Sequence, residues 1–348
     1  MKRCGEFLTT LTDSREGKPG SVLSQAIKYC RNLETLVTCV TTKAEDKQLN
    51  QLLALSKKLK VLELNISFKN FKVFSHTLPT ESLEELGMTS SNMIPPSLML
   101  MCQKEILRKC HSLKQLDFNS IDDELVQLIG TKIQLEGLRL STIHANHLTQ
   151  TGLTPILNLR NLRVLYIISP EMPRRTRVHP PVNDDFLTAL AENLRLLESL
   201  TFEAPARITD EGFAKLASLP NLKKLSIIYC QGVTDKYMVL FHKLEIFALI
   251  DCNVRDEGAI KFLEKSQNVK QLNLEGTHIT NKTLVAAVQA TKKRTNGIRL
   301  DLFNTDTNTV EWALTERSPL LQIVNQYHRK VIRINSKQTI YLPIQISN

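Results

Sequence analysis

Apolar and polar positions alternate in short bursts along this chain, and each burst is followed by a different rhythm. In "LKKLSI" (222–227), Leu225 and Ile227 alternate with Lys224 and Ser226, which predicts a short strand with one face turned inward. In "ITDEGFAKLASL" (208–219) the period lengthens to that of a helix. Thr209 or Asp210 stands at its start as N-cap, acidic residues occupy the first turn, and Phe213, Leu216 and Ala217 are spaced to pack onto a strand. Both signals fall within the twenty residues "LEIFALIDCNVRDEGAIKFL" (244–263). Related helix starts are "VTDKYM" (233–238), "VRDEGA" (254–259), "ITNKTL" (279–284), "IDDELV" (121–126) and "VNDDFL" (182–187).

The strand signal recurs as L-x-x-L-x-L or a close variant. Its first anchors are Leu8, Leu33, Leu59, Leu83, Leu113, Leu135, Leu162, Leu197, Leu222, Leu244, Val269 and Gly297. Successive anchors are 25, 26, 24, 30, 22, 27, 35, 25, 22, 25 and 28 residues apart. A period of about 20 to 29 residues with this core is the signature of leucine-rich repeats. One such unit cannot close its own core, so neighbours must stack their leucines into a common ladder. The expected architecture is an α/β, right-handed leucine-rich-repeat solenoid of about twelve repeats, a horseshoe with parallel strands on the concave face and helices on the convex face. Residues 1–305 are assigned to the solenoid, 306–326 to a C-terminal cap built around Trp312 and the helical run 309–316, and 327–348 to a tail, either hairpin or disordered. The run "MLMCQKEILRKC" (99–110) reads as a helix whose apolar face is packed core.

Four cysteines refine this picture. Cys30 and Cys110 stand three residues before a first leucine, and Cys230 and Cys252 stand three after a last apolar anchor. With the "ITDEG" and "VTDK" turns, they resemble the cysteine-containing subclass of leucine-rich repeats found in F-box/LRR proteins and in antagonist-of-mitotic-exit-type proteins. The opening "RCGEFLTTL" is similar to the repeat that follows the F-box in several of these. The resemblance spans roughly residues 1–300 and is firmest over 195–285. It implies substrate recognition for an SCF-type ubiquitin ligase in ubiquitin-dependent proteolysis, with a cullin-ligase adaptor as partner only if an F-box lies upstream. The F-box is expected ahead of Cys4 and has no counterpart here, so the alternative is a free-standing adaptor or inhibitor that acts by occlusion.

Composition narrows the partner class. Hydrophobic residues make up 42%, enough for a continuous core. The net charge of +10 invites a nucleic-acid reading, but the excess sits in two separate places. Residues 1–60 carry 11 basic against 6 acidic side chains and residues 241–300 carry 10 against 6, without interleaved aromatics. Solvated basic surface is the expectation, with no nucleic acid. No apolar stretch is long enough for a membrane span or a signal peptide. Seven unclustered cysteines read as reduced thiols of a cytoplasmic or nuclear, monomeric protein.

No phosphate-binding glycine loop, nucleophile elbow or H-E-x-x-H motif occurs, so no enzyme and no cofactor is expected. His144 and His147 in "HANH" offer two ligands where zinc needs more. The pairs Asp122/Asp123 and Asp184/Asp185 are read as helix caps rather than acid–base couples, because they recur at helix starts.

The candidate site is therefore a surface. Residues alternating with the buried leucines line the free face of the strands, usually polar, as at Gln115, Asp117 and Asn119. Apolar exceptions cluster later, and Tyr166, Ile168, Ile228, Ile246 and Ile250 are the expected anchors of a protein partner. β-Branched residues also favour strands for their own sake. The proline-rich stretch "SPEMPRRTRVHPPV" (169–182) is expected to be a loop whose Arg174, Arg175 and Arg177 could clamp an acidic or phosphorylated segment.

Overall fold

The computed structural model describes residues 5–13, 22–68, 77–90, 94–141, 148–149, 151–168, 182–203, 208–307, 318–324, 329–335 and 338–343. Arg174, Arg175 and Arg177, the pair His144 and His147, and Trp312 with all of its helical run 309–316 lie outside them. The chain divides into two compact units, each taken by itself.

The first unit carries six strands: β1 (Thr10–Thr12), β2 (Thr35–Val40), β3 (Val61–Ile66), β4 (Glu85–Ser90), β5 (Gln115–Phe118) and β6 (Gly137–Ser141). They pair in parallel and in chain order. Between them run α1 (Val22–Tyr29), α2 (Lys43–Leu55), α3 (Pro96–Lys109) and α4 (Asp123–Gly130). The second unit carries β7 (Val164–Ile168), β8 (Ser199–Glu203), β9 (Lys224–Ile228), β10 (Ile246–Ile250), β11 (Gln271–Asn273), β12 (Ile298–Asp301) and β13 (Leu321–Val324), again parallel and sequential. Its helices are α5 (Asp184–Asn193), α6 (Asp210–Lys215), α7 (Asp256–Lys265) and α8 (Asn281–Thr291). A separate antiparallel pair follows, β14 (Arg329–Asn335) with β15 (Gln338–Pro343).

The leucine pattern sets the register. Thr35, Val61, Glu85, Gln115 and Gly137 stand two residues after their anchors and pair in turn. Ser199, Lys224, Ile246, Gln271 and Arg299 do the same in the second unit. Strands β2 and β3 alternate half-buried and buried positions throughout, and the anchors Leu33, Leu59, Leu83, Leu113 and Leu135 are fully buried. A one-residue slip would turn every leucine outward, so the core itself fixes the pairing.

Core packing in the second unit centres on aromatics. Phe213 stacks on Phe241 with centroids 4.4 Å apart, and Phe247 lies 5.5 Å from Phe241 and 5.1 Å from Phe262. Two local expectations need correction. Ala217 is exposed, because α6 gives way at Leu216–Ser218 to a 3₁₀ turn that brings Leu219 inside instead. The stretch 233–238 forms turns, and a 3₁₀ segment (Met238–Phe241) follows. Residues three apart eclipse in a 3₁₀ helix, so Met238 and Phe241 both point into the core. Of the two cap candidates for α6, Thr209 takes the role.

Asp210 has another task. Its carboxylate accepts from the backbone N–H and the hydroxyl of Thr234 in the next repeat, at 2.8 and 2.7 Å. Asp184 holds Thr209 in the same way at 2.9 and 2.7 Å, and Asp256 holds Thr280 at 2.9 and 2.7 Å. Asp123 takes the Thr149 N–H, and Asp235 takes the Gly258 N–H. These five carboxylates thus tie their own repeats to the ones that follow. The arrangement also accounts for the glycine of "TDEG": a Cβ on Gly212 would sit 1.9 Å from Asp184 Oδ1. Asp122 caps α4 as expected, through the N–H of Leu125, but α5 is capped by Asn183, through the N–H of Phe186, and not by Asp184 or Asp185, which stand one and two residues too late, inside the first turn.

A second tie runs along the strand entries, where charge alternates. Lys60 pairs with Glu34 and Lys114 with Glu84, each at 2.8 Å; in the second unit Glu198 bridges Arg163 and Lys223, and Lys270 meets Glu245, all at 2.7 Å. The paired cations hold the carboxyls of Glu198 and Glu245 below the usual range, Lys223 and Lys270 being the main causes.

Strands β9 to β12 leave the sheet through a left-handed turn. Tyr229, Asp251, Gly276 and Asn304 have φ of 59°, 51°, 66° and 55°, each seven residues after its anchor. The next residue folds inward to satisfy a carbonyl. Cys230 and Cys252 contact Ile208 and Ile227 oxygens at 3.8 and 3.9 Å, while Thr277 and Thr305 donate to Leu274 and Leu302 at 2.6 and 2.8 Å. Cysteine here is a small buried group, interchangeable in role with threonine.

Burial pushes the thiols of Cys110 and Cys230 up to about 11 and that of Cys102 to about 12, with Cys252 raised further. Thiolate is the reactive form, so these four should resist a neutral-pH alkylating reagent in the native protein and react once it is unfolded. Peptide mapping after iodoacetamide treatment reads this directly; native-state labelling at any of the four would contradict it.

Candidate protein-binding surface

The free face of β7–β10 is built by strand alternation. In β10, Phe247 and Leu249 point into the core, so Ile246, Ala248 and Ile250 fall on the opposite face. In β9, Leu225 and Ile227 are buried and Lys224, Ser226 and Ile228 face out. The register then sets Ile250 beside Ile228, Ala248 beside Ser226 and Ile246 beside Lys224. Adjacent strands lie about 4.8 Å apart, so Ile228 and Ile250 are immediate neighbours.

Ile246 and Ile250 are half-buried, and Ala248 between them is only 6% exposed. Two small residues, Ala248 and Ser226, thus lie among three isoleucines on this face. Lys224 is exposed at its edge.

Tyr166 and Ile168 face the same way on β7 and are also half-buried. One strand separates them from β9: β8 presents Ser199, Thr201 and Glu203, with Thr201 registered between Tyr166 and Ser226. The five predicted residues therefore share one face but form two groups, Tyr166 with Ile168 and Ile228 with Ile246 and Ile250.

On the other side the face turns polar and self-satisfied. Asp301, 3% exposed, accepts two bonds from Arg299 (3.0 and 2.9 Å to Oδ1) and one from the Gln271 amide at 2.7 Å. Buried polar groups satisfied internally leave little for a ligand to gain. Sequence reasoning did not find this cluster, although its signal was present in Asn273 and Asp301 at successive outward positions.

Among the described residues, no group of three or more histidine, cysteine or acidic side chains comes together to hold a metal ion. No described helix is long and apolar enough to cross a membrane.

No family model matches the chain, and no curated protein matches it. Solved structures do. Rad7, from a yeast Rad7–Elc1 complex, is 15% identical with a TM-score of 0.53, covering 84% of this chain and 81% of its own. An internalin (inlF) from Listeria monocytogenes is 20% identical with a TM-score of 0.52, covering 92% of this chain and 88% of its own. At these identities the likeness concerns the fold, and with the sequential parallel strands and the leucine register it gives a leucine-rich-repeat α/β solenoid.

Proposed function

We propose that this chain is a protein–protein interaction scaffold and that it grips its partner through the free face of β7–β10, with Ile228, Ile246 and Ile250 as the inner anchors and Tyr166 and Ile168 as an outer pair. The observation that carries the reading is the cluster around Ala248, where three isoleucines stand half-buried on a face that is polar on β8 and β11. Aliphatic groups grouped around a small residue are the kind of surface that becomes a binding hot spot when a partner excludes water from it.

In the finer reading the partner is a protein substrate and the chain is the recognition region of an F-box-type subunit of a ubiquitin ligase. The cysteine-bearing turns and the likeness to Rad7, which was solved with Elc1, support it. The second reading is a free-standing adaptor that works by occlusion, and the fold accommodates it equally. Loop residues Arg174, Arg175 and Arg177 belong to the proposal as a clamp on an acidic segment.

The test is the double variant Ile228→Asp/Ile250→Asp. Quantitative affinity capture with the intact chain should show its principal partner lost by more than about 30-fold, the equivalent of roughly 2 kcal/mol at a hot spot. Both positions are only half-buried, so a circular-dichroism melt should show the fold intact. Unchanged capture by the folded variant would remove this face from consideration. Co-capture of a cullin-ligase adaptor with the native chain separates the two readings.

A further inference from the structure

Asn296 is the one asparagine of the chain that a glycine follows. The pair lies in the bend between α8 and β12, where Gly297 holds the anchor position that leucine fills in most repeats. At Leu59, Leu135, Leu162, Leu197 and Leu244 the anchor N–H is taken by the carbonyl three residues before it, at 2.9 to 3.2 Å. Gly297 makes no such bond, and its N–H has no partner among the described residues. The glycine is exposed and Asn296 is half-buried.

The asparagine side chain is held at one end only. Its Oδ1 accepts from the Arg294 Nε–H at 3.2 Å, while its Nδ2 donates to no described residue. Arg294 has no carboxylate partner among the described residues; a second arm of its guanidinium donates to the Gln267 carbonyl. An unshared cation thus polarises the Asn296 side-chain carbonyl, on the oxygen where negative charge gathers when a nucleophile adds to Cγ. Asn119, followed by the small Ser120, is the instructive contrast. It is 3% exposed, and both ends of its amide are locked to Ser90: Oδ1 accepts from the backbone N–H at 3.1 Å and Nδ2 donates to the carbonyl at 2.8 Å.

We propose that Asn296 is a site of spontaneous deamidation in the folded protein. The Gly297 nitrogen attacks Asn296 Cγ: the N–Cγ bond forms, the Cγ–Nδ2 bond breaks, and ammonia leaves with the proton given up by the Gly297 N–H. Water then opens the cyclic imide at one carbonyl or the other, giving isoaspartate or aspartate. Glycine favours the closure because no Cβ hinders the nitrogen and its backbone turns freely. The product sets a carboxylate beside Arg294. Its isoaspartyl form also lengthens the main chain by a methylene just ahead of Ile298 and Arg299, whose N–H groups bind the Leu320 and Lys270 carbonyls at 2.7 and 2.8 Å.

Ageing the intact folded chain in mildly alkaline buffer tests it. Peptide mapping by mass spectrometry follows each amide, and an isoaspartyl methyltransferase with labelled S-adenosylmethionine counts isoaspartate. Conversion should appear at Asn296 before any other asparagine. Gly297→Ala should slow it at least ~10-fold, because the added Cβ crowds the attacking nitrogen and stiffens the turn. Asn296→Gln, which leaves the backbone as it is, should remove most of the isoaspartate and keeps the test open if the alanine disturbs β12. An Asn296 amide that outlasts the others, or one that converts only after urea unfolding, would overturn the proposal. So would undiminished conversion in folded Gly297→Ala, or undiminished isoaspartate in Asn296→Gln.

Discussion

Phe247→Ala should destabilise the protein by about 3–5 kcal/mol, the range for removing a large buried aromatic. Phe247 is fully buried in β10 and touches the rings of Phe241 and Phe262, which come from the preceding and following segments. Phe213 extends the cluster one repeat further, 6.5 Å from Phe247. In a stacked array, stability is a sum of unit and nearest-neighbour terms, so an aromatic shared across interfaces weakens several at once. Urea denaturation checks this: the midpoint should fall sharply, with a broadened or two-step transition if the second unit melts first. A loss below about 1 kcal/mol would mean that the neighbouring rings close the gap, which dense packing does not allow here.

Asp256→Ala should cost about 2–3 kcal/mol, because it strands polar donors that lose a charged acceptor. The carboxylate accepts from the Thr280 N–H and hydroxyl and from the Thr283 hydroxyl at 2.6 Å. Partial burial acts to raise its pKa, but the hydrogen bonds from Thr283 and Thr280 outweigh it, so the folded-state value lies below the ordinary one. The sign follows from linkage. The unfolded chain binds this proton more readily, so the contribution is complete above the ordinary aspartate pKa and fades as pH falls through the lowered folded value. Native protein and variant should therefore differ most at neutral pH and converge in acid. Melting curves across pH 7 to 3 would show it, and a pH-independent difference would assign the effect to something other than the carboxylate.

The strands and their register were legible because both depend on a short-range signal. Leu225 and Ile227 announce their own orientation, and pairing then follows from burying like with like. Partnerships between repeats were not legible in the same way. Nothing local to Asp184 or Asp210 distinguishes capping its own helix from holding the next threonine, since a helix-start carboxylate can do either. Strand β13 escaped because "LLQIV" (320–324) carries one weak copy of a pattern that its predecessors state clearly. The outward isoleucines were found by alternation alone. That Ile168 is cut off from Ile228 by Glu203 became evident only when β8 was laid between them.

The charges at the strand entries have a consequence for how such an array can change in length. Acid and base take turns from Glu34 to Glu136 in one unit and from Arg163 to Lys270 in the other. Excising a single repeat would leave two carboxylates or two cations side by side, whereas excising a consecutive couple restores the original sequence of signs. Like charges directly opposite oppose pairing even though each exposed bond contributes under about 1 kcal/mol. The chain thus carries a parity rule: growth or loss by twos is electrostatically silent, and growth or loss by one is not.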